Sequence, residues 1–350
     1  MPTPTPAPTP TPVRPTPEGQ TPQVPSFDVT TPGADVGARV PVDAFAQAGE
    51  AGTQPAASYN PNVFGDLIGL SGTRNLLLPG KVSGTAFQPV QVRVPVASRG
   101  AFKIADNENA RPADRVYFGY NFYSDVNRRI NSPLVPNADV HRETLGFEKA
   151  FLDGGASFGL RLPYNQLSGD TAFEDAHIGD LSAIVKYAFV NDRRTGNVLS
   201  GGLVVTAPTG EDFPIAGQSP LHSTILQPFL GYVYNFDNFY LQGFSSLAVP
   251  TDARDVTFFF NDVAFGYWLV RNDGRDGRTG IVPTLELHVN TPLNHRGALV
   301  TPIGFSDQVN VTGGVHFLLP RVIIGAAVGT PLVGPKPYDV EAICTLNYRF

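Results

Sequence analysis

The sequence predicts an all-β protein: a single up-and-down antiparallel transmembrane β-barrel of about twelve strands, behind a Pro-rich irregular N-terminal arm. Three observations carry this. From Asp114 onward, apolar and polar residues alternate with period 2 in runs of ten residues or more, about twice the usual length of a soluble strand. The connections between runs alternate between short turns and longer, irregular loops, as in a meander. The final run stops in mid-pattern on an aromatic residue, Phe350.

Composition sets the outer bounds. The chain has 350 residues and a net charge of −6, with a mean hydropathy of −0.06. Such a length ordinarily means two or three soluble domains. The single cysteine, Cys344, excludes a disulfide scaffold and any multi-cysteine metal site. The mild acidity argues against a nucleic-acid partner, which calls for a basic face. No stretch of 18 residues is continuously apolar, so a membrane-spanning helix is excluded.

Three segments follow in chain order. Residues 1–26 are a Pro/Thr alternation, Met1-Pro2-Thr3-Pro4-Thr5-Pro6 onward, with ten prolines in the first 25 positions. A segment of this kind cannot bury a core and reads as a disordered, extended tether. Residues 27–113 mix Gly, Ala and Pro with short apolar patches such as Val63-Phe64-Gly65-Asp66-Leu67-Ile68 and show no sustained helical or strand period. They read as an irregular periplasmic arm or a plug. Residues 114–350 hold 31 of the 37 aromatics and form the barrel.

Twelve runs divide that last segment: 114–126, 139–151, 155–164, 177–190, 196–208, 222–235, 238–250, 257–270, 280–291, 308–319, 321–331 and 338–350. Short connections at 152–154, 191–195, 236–237, 272–279 and 320 interleave with longer ones at 127–138, 165–176, 209–221, 251–256, 292–307 and 332–337. Pro163, Pro208, Pro250, Pro292 and Pro331 each fall at the end of an odd-numbered run, spaced by 45, 42, 42 and 39 residues. A repeat near forty residues also fits a propeller blade. Here, though, it holds two long strands rather than four short ones, so the repeat unit is a hairpin. Proline suits a strand end because it cannot donate to the ladder.

The two faces of the runs differ in chemistry. Ile281, Pro283, Leu285, Leu287 and Val289 share one face, and Thr284, Glu286, His288 and Asn290 the other. Val309, Val311, Val315 and Phe317 oppose Asn310, Thr312 and His316; Phe158, Leu160, Leu162 and Tyr164 oppose Ser157, Gly159 and Arg161. A soluble sandwich shows such alternation too. Run length favours the membrane, since about ten residues at roughly 3.3 Å each, tilted near 40°, cross an outer-membrane apolar band. So do aromatics near run ends, as in Tyr187-Ala188-Phe189, Tyr232-Val233-Tyr234 and Phe239-Tyr240, where a girdle belongs.

The last run, with Leu346, Tyr348 and Phe350 on one face, resembles the C-terminal signature of bacterial outer-membrane β-barrels. That resemblance implies outer-membrane lipid as surroundings and the barrel-insertion machinery as the reader of these three residues. The blocks Phe102-Lys103-Ile104-Ala105-Asp106-Asn107-Glu108, Asp114-Arg115-Val116-Tyr117-Phe118 and Arg142-Glu143-Thr144-Leu145-Gly146-Phe147-Glu148-Lys149 resemble uncharacterised barrels of planctomycete-type bacteria. More loosely, residues 114–350 are similar to the transporter barrels grouped under meta-pathway phenol degradation, which implies passage of small, aromatic or apolar solutes. Met1-Pro2-Thr3-Pro4 has neither the basic start nor the apolar run of an export signal; a signal trimmed away or lying upstream is expected. The arm then lies in the periplasm, where it contacts peptidoglycan or a periplasmic protein.

The inward-facing ionisable residues are the candidate solute path: Arg142, Glu148, Arg161, Asp180, Lys186, Asp262, Glu286, His288, His316 and Glu341. In a pore they set charge selectivity; a purely structural lumen network of cross-strand pairs uses the same residue types. A lipid hydrolase would draw on His288, His316, Ser182 and Ser200, but no compact His–Ser motif stands in the sequence. A metal held by Glu286, His288 and His316 needs three convergent ligands, and two inward histidines on adjacent strands are ordinary lumen residues. No catalytic group, metal or cofactor is expected. Cys344 falls on the lipid face. The expected function is passive transport, with a plugged, non-transporting envelope barrel as the alternative.

Overall fold

The computed structural model describes residues 60–66, 69–78, 88–100 and 103–350, less 132, 134, 136, 170–174, 213–218, 275–276, 298–299 and 301–302. The Pro/Thr tether expected over 1–26 lies outside the described residues. Twelve long strands close into one antiparallel barrel. They are β3 (Arg115–Tyr123), β4 (Ala138–Phe151), β5 (Ala156–Gly169), β7 (Leu181–Asn191), β8 (Val198–Ala207), β9 (Ile225–Phe236), β10 (Phe239–Pro250), β11 (Phe258–Tyr267), β13 (Gly277–Pro292), β14 (Gln308–Leu318), β15 (Val322–Val333) and β16 (Glu341–Arg349). Each pairs with its neighbours in chain order. β11 pairs directly with β13, and β16 returns to β3 from Arg349↔Arg115 to Glu341↔Tyr123. Closure leaves no unpaired edge, which is what a sheet without water beside it requires. No helix occurs among the described residues.

Two short strands stand beside the ring. β6 (Asp175–Ile178) pairs with the far half of β5, and β12 (Val270–Gly274) pairs with the start of β13. The fourth run is therefore broken at Gly179-Asp180, and the connection expected over 272–279 is instead a strand pair extending past the barrel wall. The break explains Pro163, which lies inside β5 rather than at its end. β5 pairs with β7 up to Arg161↔Ser182 and with β6 from Tyr164↔Ile178. Between these, Pro163 only accepts, from Gly179 N at 2.8 Å, so its missing N–H costs nothing. Pro331, also internal to its strand, sits beside the β14–β15 register shift at Val309/Asn310.

Burial alternates as the sequence implies, but with apolar residues outside. On β13, Leu285 and Leu287 are 58% and 45% exposed while Glu286 and His288 between them are at most 1% exposed. An apolar belt facing water would cost about 25 cal/mol per Å2, so this surface belongs in lipid. Aromatics ring the outside at the short-turn rim: Phe236 stacks on Phe239 at 4.9 Å, Phe239 meets Phe265 at 5.6 Å, and Phe147 meets Phe350 at 6.3 Å. Tyr240 departs from the expected girdle. It points inward and lies over Gly266 of the neighbouring strand, as Tyr117 lies over its cross-strand partner Gly146.

Ahead of the barrel, β1 (Gly69–Leu78) and β2 (Gln88–Gly100) form a separate antiparallel hairpin. This stretch shows no sustained strand period in sequence. Its β2 residue Arg93 exchanges hydrogen bonds with Asn131 in a long loop: Arg93 N donates to Asn131 Oδ1 at 2.6 Å and Asn131 Nδ2 donates to Arg93 O at 2.8 Å. The hairpin thus lies at the long-loop rim, and the chain on either side of it runs down into the lumen.

Candidate functional site

The lumen is occupied by the protein's own chain. Residues 60–66 and 103–109 pair with each other through Val63 and Glu108, with Val63 N donating to Glu108 O at 2.8 Å. From the short-turn rim upward, successive residues of 60–66 grip different strands. Asn60 Nδ2 donates to Asn235 at 2.7 Å, Asn62 Nδ2 to Asn347 at 3.0 Å, and Phe64 and Gly65 N–H groups donate to Glu286 at 2.8 and 3.0 Å. Asp66 accepts from Asn290 Nδ2 at 2.8 Å and from Asn310. Phe64 stacks on His316 with ring centroids 4.0 Å apart. Gly65 has φ +84°, and a Cβ there would come within 2.8 Å of the Asp106 Cα. Only glycine gives the turn that aims two successive N–H groups at one carboxylate.

Charge is sorted into two sectors. Toward the long-loop rim, the Lys103 ammonium is bonded to both Asp66 of the arm and Asp262 of β11. His288 Nδ1 stands 2.8 Å from Asp262 and 3.3 Å from Asp66. Toward the short-turn rim, Glu108 of the arm receives Arg115 at 2.6 Å, Arg161 at 2.8 Å and Lys186 at 2.8 Å, from β3, β5 and β7. Glu148 of β4 completes this sector, bonded to Arg115 at 2.7 Å, Lys186 at 3.0 Å and Ser157 Oγ at 2.7 Å. All of these ions are buried, so each partner is worth far more than on a surface and each lost partner costs more. A cavity of about 20 Å3, lined by Phe64, Asp106, Tyr117, Arg142, Arg161 and others, lies between arm and wall. That is room for about one water.

All ten candidate residues are buried. Arg161, Lys186, Glu148, Asp262, Glu286, His288 and His316 meet the arm or the ions that hold it. Arg142 and Glu341 bond to wall residues, Arg142 Nε donating to Asn165 at 2.9 Å and Glu341 accepting from Asn121 at 2.7 Å. Asp180 is placed differently. It sits in the β6–β7 break at the long-loop rim, accepting from Thr209 N, Gly210 N and His222. The hydrolase set does not converge. Ser182 pairs with Thr206 at 2.8 Å and Ser200 with Gly231 O at 3.4 Å, four to six strands around the ring from the histidines. Nor does the metal set, because His316 lies under Phe64. The donors that do converge are Asp66, Asp262 and His288, and the cation seated among them is Lys103.

Sequence reasoning placed Asn290 and Asn310 on the inward face without counting them in the solute path, and it left out Arg115, Asn347 and the arm's own Asp66, Lys103 and Glu108. The wall residues share the inward parity of Tyr117, His288, His316 and Thr345 and could have been added by it. The arm residues carry no periodicity, and their partners lie far away in sequence.

No family model and no curated protein sequence matches the chain. Among solved structures, the COG4313 outer membrane channel from Pseudomonas putida F1 is similar over 69% of this chain and 97% of its own, with TM-score 0.52 and 12% identity. The KdgM porin matches 67% of this chain and 99% of its own at TM-score 0.40 and 10% identity. The β domain of the Bordetella autotransporter BrkA matches 68% and 99% at TM-score 0.43 and 12% identity. The first of these likenesses shows a shared fold, that of a bacterial outer-membrane barrel, and the outward apolar belt is the surface such a barrel presents to lipid.

Proposed function

We propose that this chain is a passive outer-membrane channel for small solutes, closed at rest by its own residues 60–66 and 103–113. The observation that carries the reading is the two-sector grip: a polar, charged wall whose partners are supplied by a segment of chain rather than only by other wall residues. A barrel built only to be solid could fill its lumen from its strands, whereas a threaded arm can be withdrawn. The charged wall favours ionised solutes over the aromatic or apolar ones that the looser family resemblance suggests.

In this reading the short-turn rim faces the periplasm. The outward Leu346, Tyr348 and Phe350 are read by the insertion machinery, and residues 1–26 reach peptidoglycan or a periplasmic partner. The second reading, a permanently plugged envelope barrel, draws on how completely the arm is bonded. Conductance in planar bilayers separates them. The full chain is expected to be nearly silent, and a variant lacking residues 1–113, shown folded by heat-dependent gel mobility, to pass steady current. A folded deletion variant without current overturns the channel reading.

A further inference from the structure

The cradle around Glu108 has the chemistry of a ligand site. Two guanidinium groups and one ammonium, each at most 2% exposed, converge on one carboxylate. Arg115 and Arg161 take different oxygens, Oε1 and Oε2, and Lys186 shares Oε1. All three cations stand on barrel strands, while the carboxylate belongs to the arm, which in the channel reading withdraws. The wall's own anion in this sector is Glu148, held by Arg115, Lys186 and Ser157. Three wall cations against one wall anion leave an excess of two positive charges, which the arm offsets with Glu108 and with Asp106 near Arg161. A withdrawn arm therefore leaves a net-positive cradle on the lumen wall, which attracts and orients another anion.

We infer that Arg115, Arg161 and Lys186 form a binding site for the carboxylate of a small anionic solute, and that Glu108 occupies it as a built-in substitute. Fork-shaped guanidinium donors match the two oxygens of a carboxylate better than they match a spherical ion such as chloride. A solute that binds the cradle only when Glu108 has left shifts the arm toward its withdrawn state by mass action. Substrate and plug then compete for one site, and the channel opens most where its solute is abundant. The inference rests on the channel reading and names its solute class.

The test uses the full-length chain and its Glu108→Gln variant, a change confined to the arm, each shown folded by heat-dependent mobility. Currents are recorded in chloride with and without acetate. The variant is expected to open on the order of tenfold more often than the parent, to carry anions, and to show saturable acetate block of its chloride current. Adding Lys186→Met is expected to weaken that block. A conducting variant that prefers cations, or in which acetate and chloride behave alike, overturns the carboxylate site and leaves the channel reading standing. If neither protein conducts, the opening of the channel by loss of Glu108 is overturned, while the channel reading still turns on the variant lacking residues 1–113. The site is then read by thermal unfolding in detergent. Acetate raising the Tm of E108Q but not of the parent supports it, and no such difference overturns it.

Discussion

The two charged sectors of the lumen hold the same arm by opposite logic. Around Glu108, three wall cations surround one arm carboxylate, so the grip is redundant. Around Lys103, one arm ammonium serves two carboxylates, Asp66 and Asp262, with His288 beside them. The two carboxylates share that ammonium, with the His288 ring as their other common neighbour. Redundancy makes the Glu108 sector tolerant of losing any one wall residue. Convergence makes the Lys103 sector lean on the shared ammonium, whose loss leaves two carboxylates facing each other in a buried site.

The largest expected effect follows from that asymmetry. Lys103→Met removes the shared partner of Asp66 and Asp262 and should destabilise the seated arm by about 3–5 kcal/mol, read as lowered Tm and as protease access to residues 60–113. Neutralising one of the stranded carboxylates should recover part of it. The double variant Lys103→Met/Asp262→Asn is expected to be more stable than the single one, with a coupling of about 1–3 kcal/mol in a double-mutant cycle; strict additivity would show that the two groups do not act as a pair.

Lys186→Met tests the redundant side. Glu108 keeps Arg115 and Arg161, and Glu148 keeps Arg115, so the loss should be smaller, about 1.5–3 kcal/mol, with the arm still seated. An effect matching that of Lys103→Met would abolish the contrast between sectors. Gly65→Ala probes the backbone that presents two N–H groups to Glu286. Its positive φ and the Asp106 contact predict a cost of about 1–3 kcal/mol, seen as a lower Tm with the arm more accessible. At the bottom of the scale, Arg193→Ala breaks an exposed pair with Asp153, 3.2 Å apart and with the carboxylate 94% exposed. No measurable change in Tm is expected there.

Much of the barrel was legible in the sequence because a strand's facing is a local property. Period-2 alternation assigns Leu285 and Glu286 to opposite faces with no knowledge of neighbours. Turn chemistry, together with run length, then yields twelve crossings. Legibility failed where local pattern and tertiary role separate. The break opposite Pro163 depends on β5 having two partners in succession. The inward turn of Tyr240 is tolerated because its cross-strand neighbour, Gly266, leaves room for the ring. The hairpin β1–β2 is held at the long-loop rim by Asn131, 38 residues from Arg93.

The sequence by itself determined a twelve-stranded, inside-out barrel and the parity that puts Arg161, Lys186, Glu286 and His288 in its lumen. Tertiary structure alone decided what those residues meet. Glu286 finds the Phe64 N–H 222 positions away, and Asn347 finds Asn62 285 positions away. Which way a side chain points is set by its own backbone, two residues at a time. Which charge neutralises it is set by the path of a distant segment, and that path exists only once the ring has closed around it.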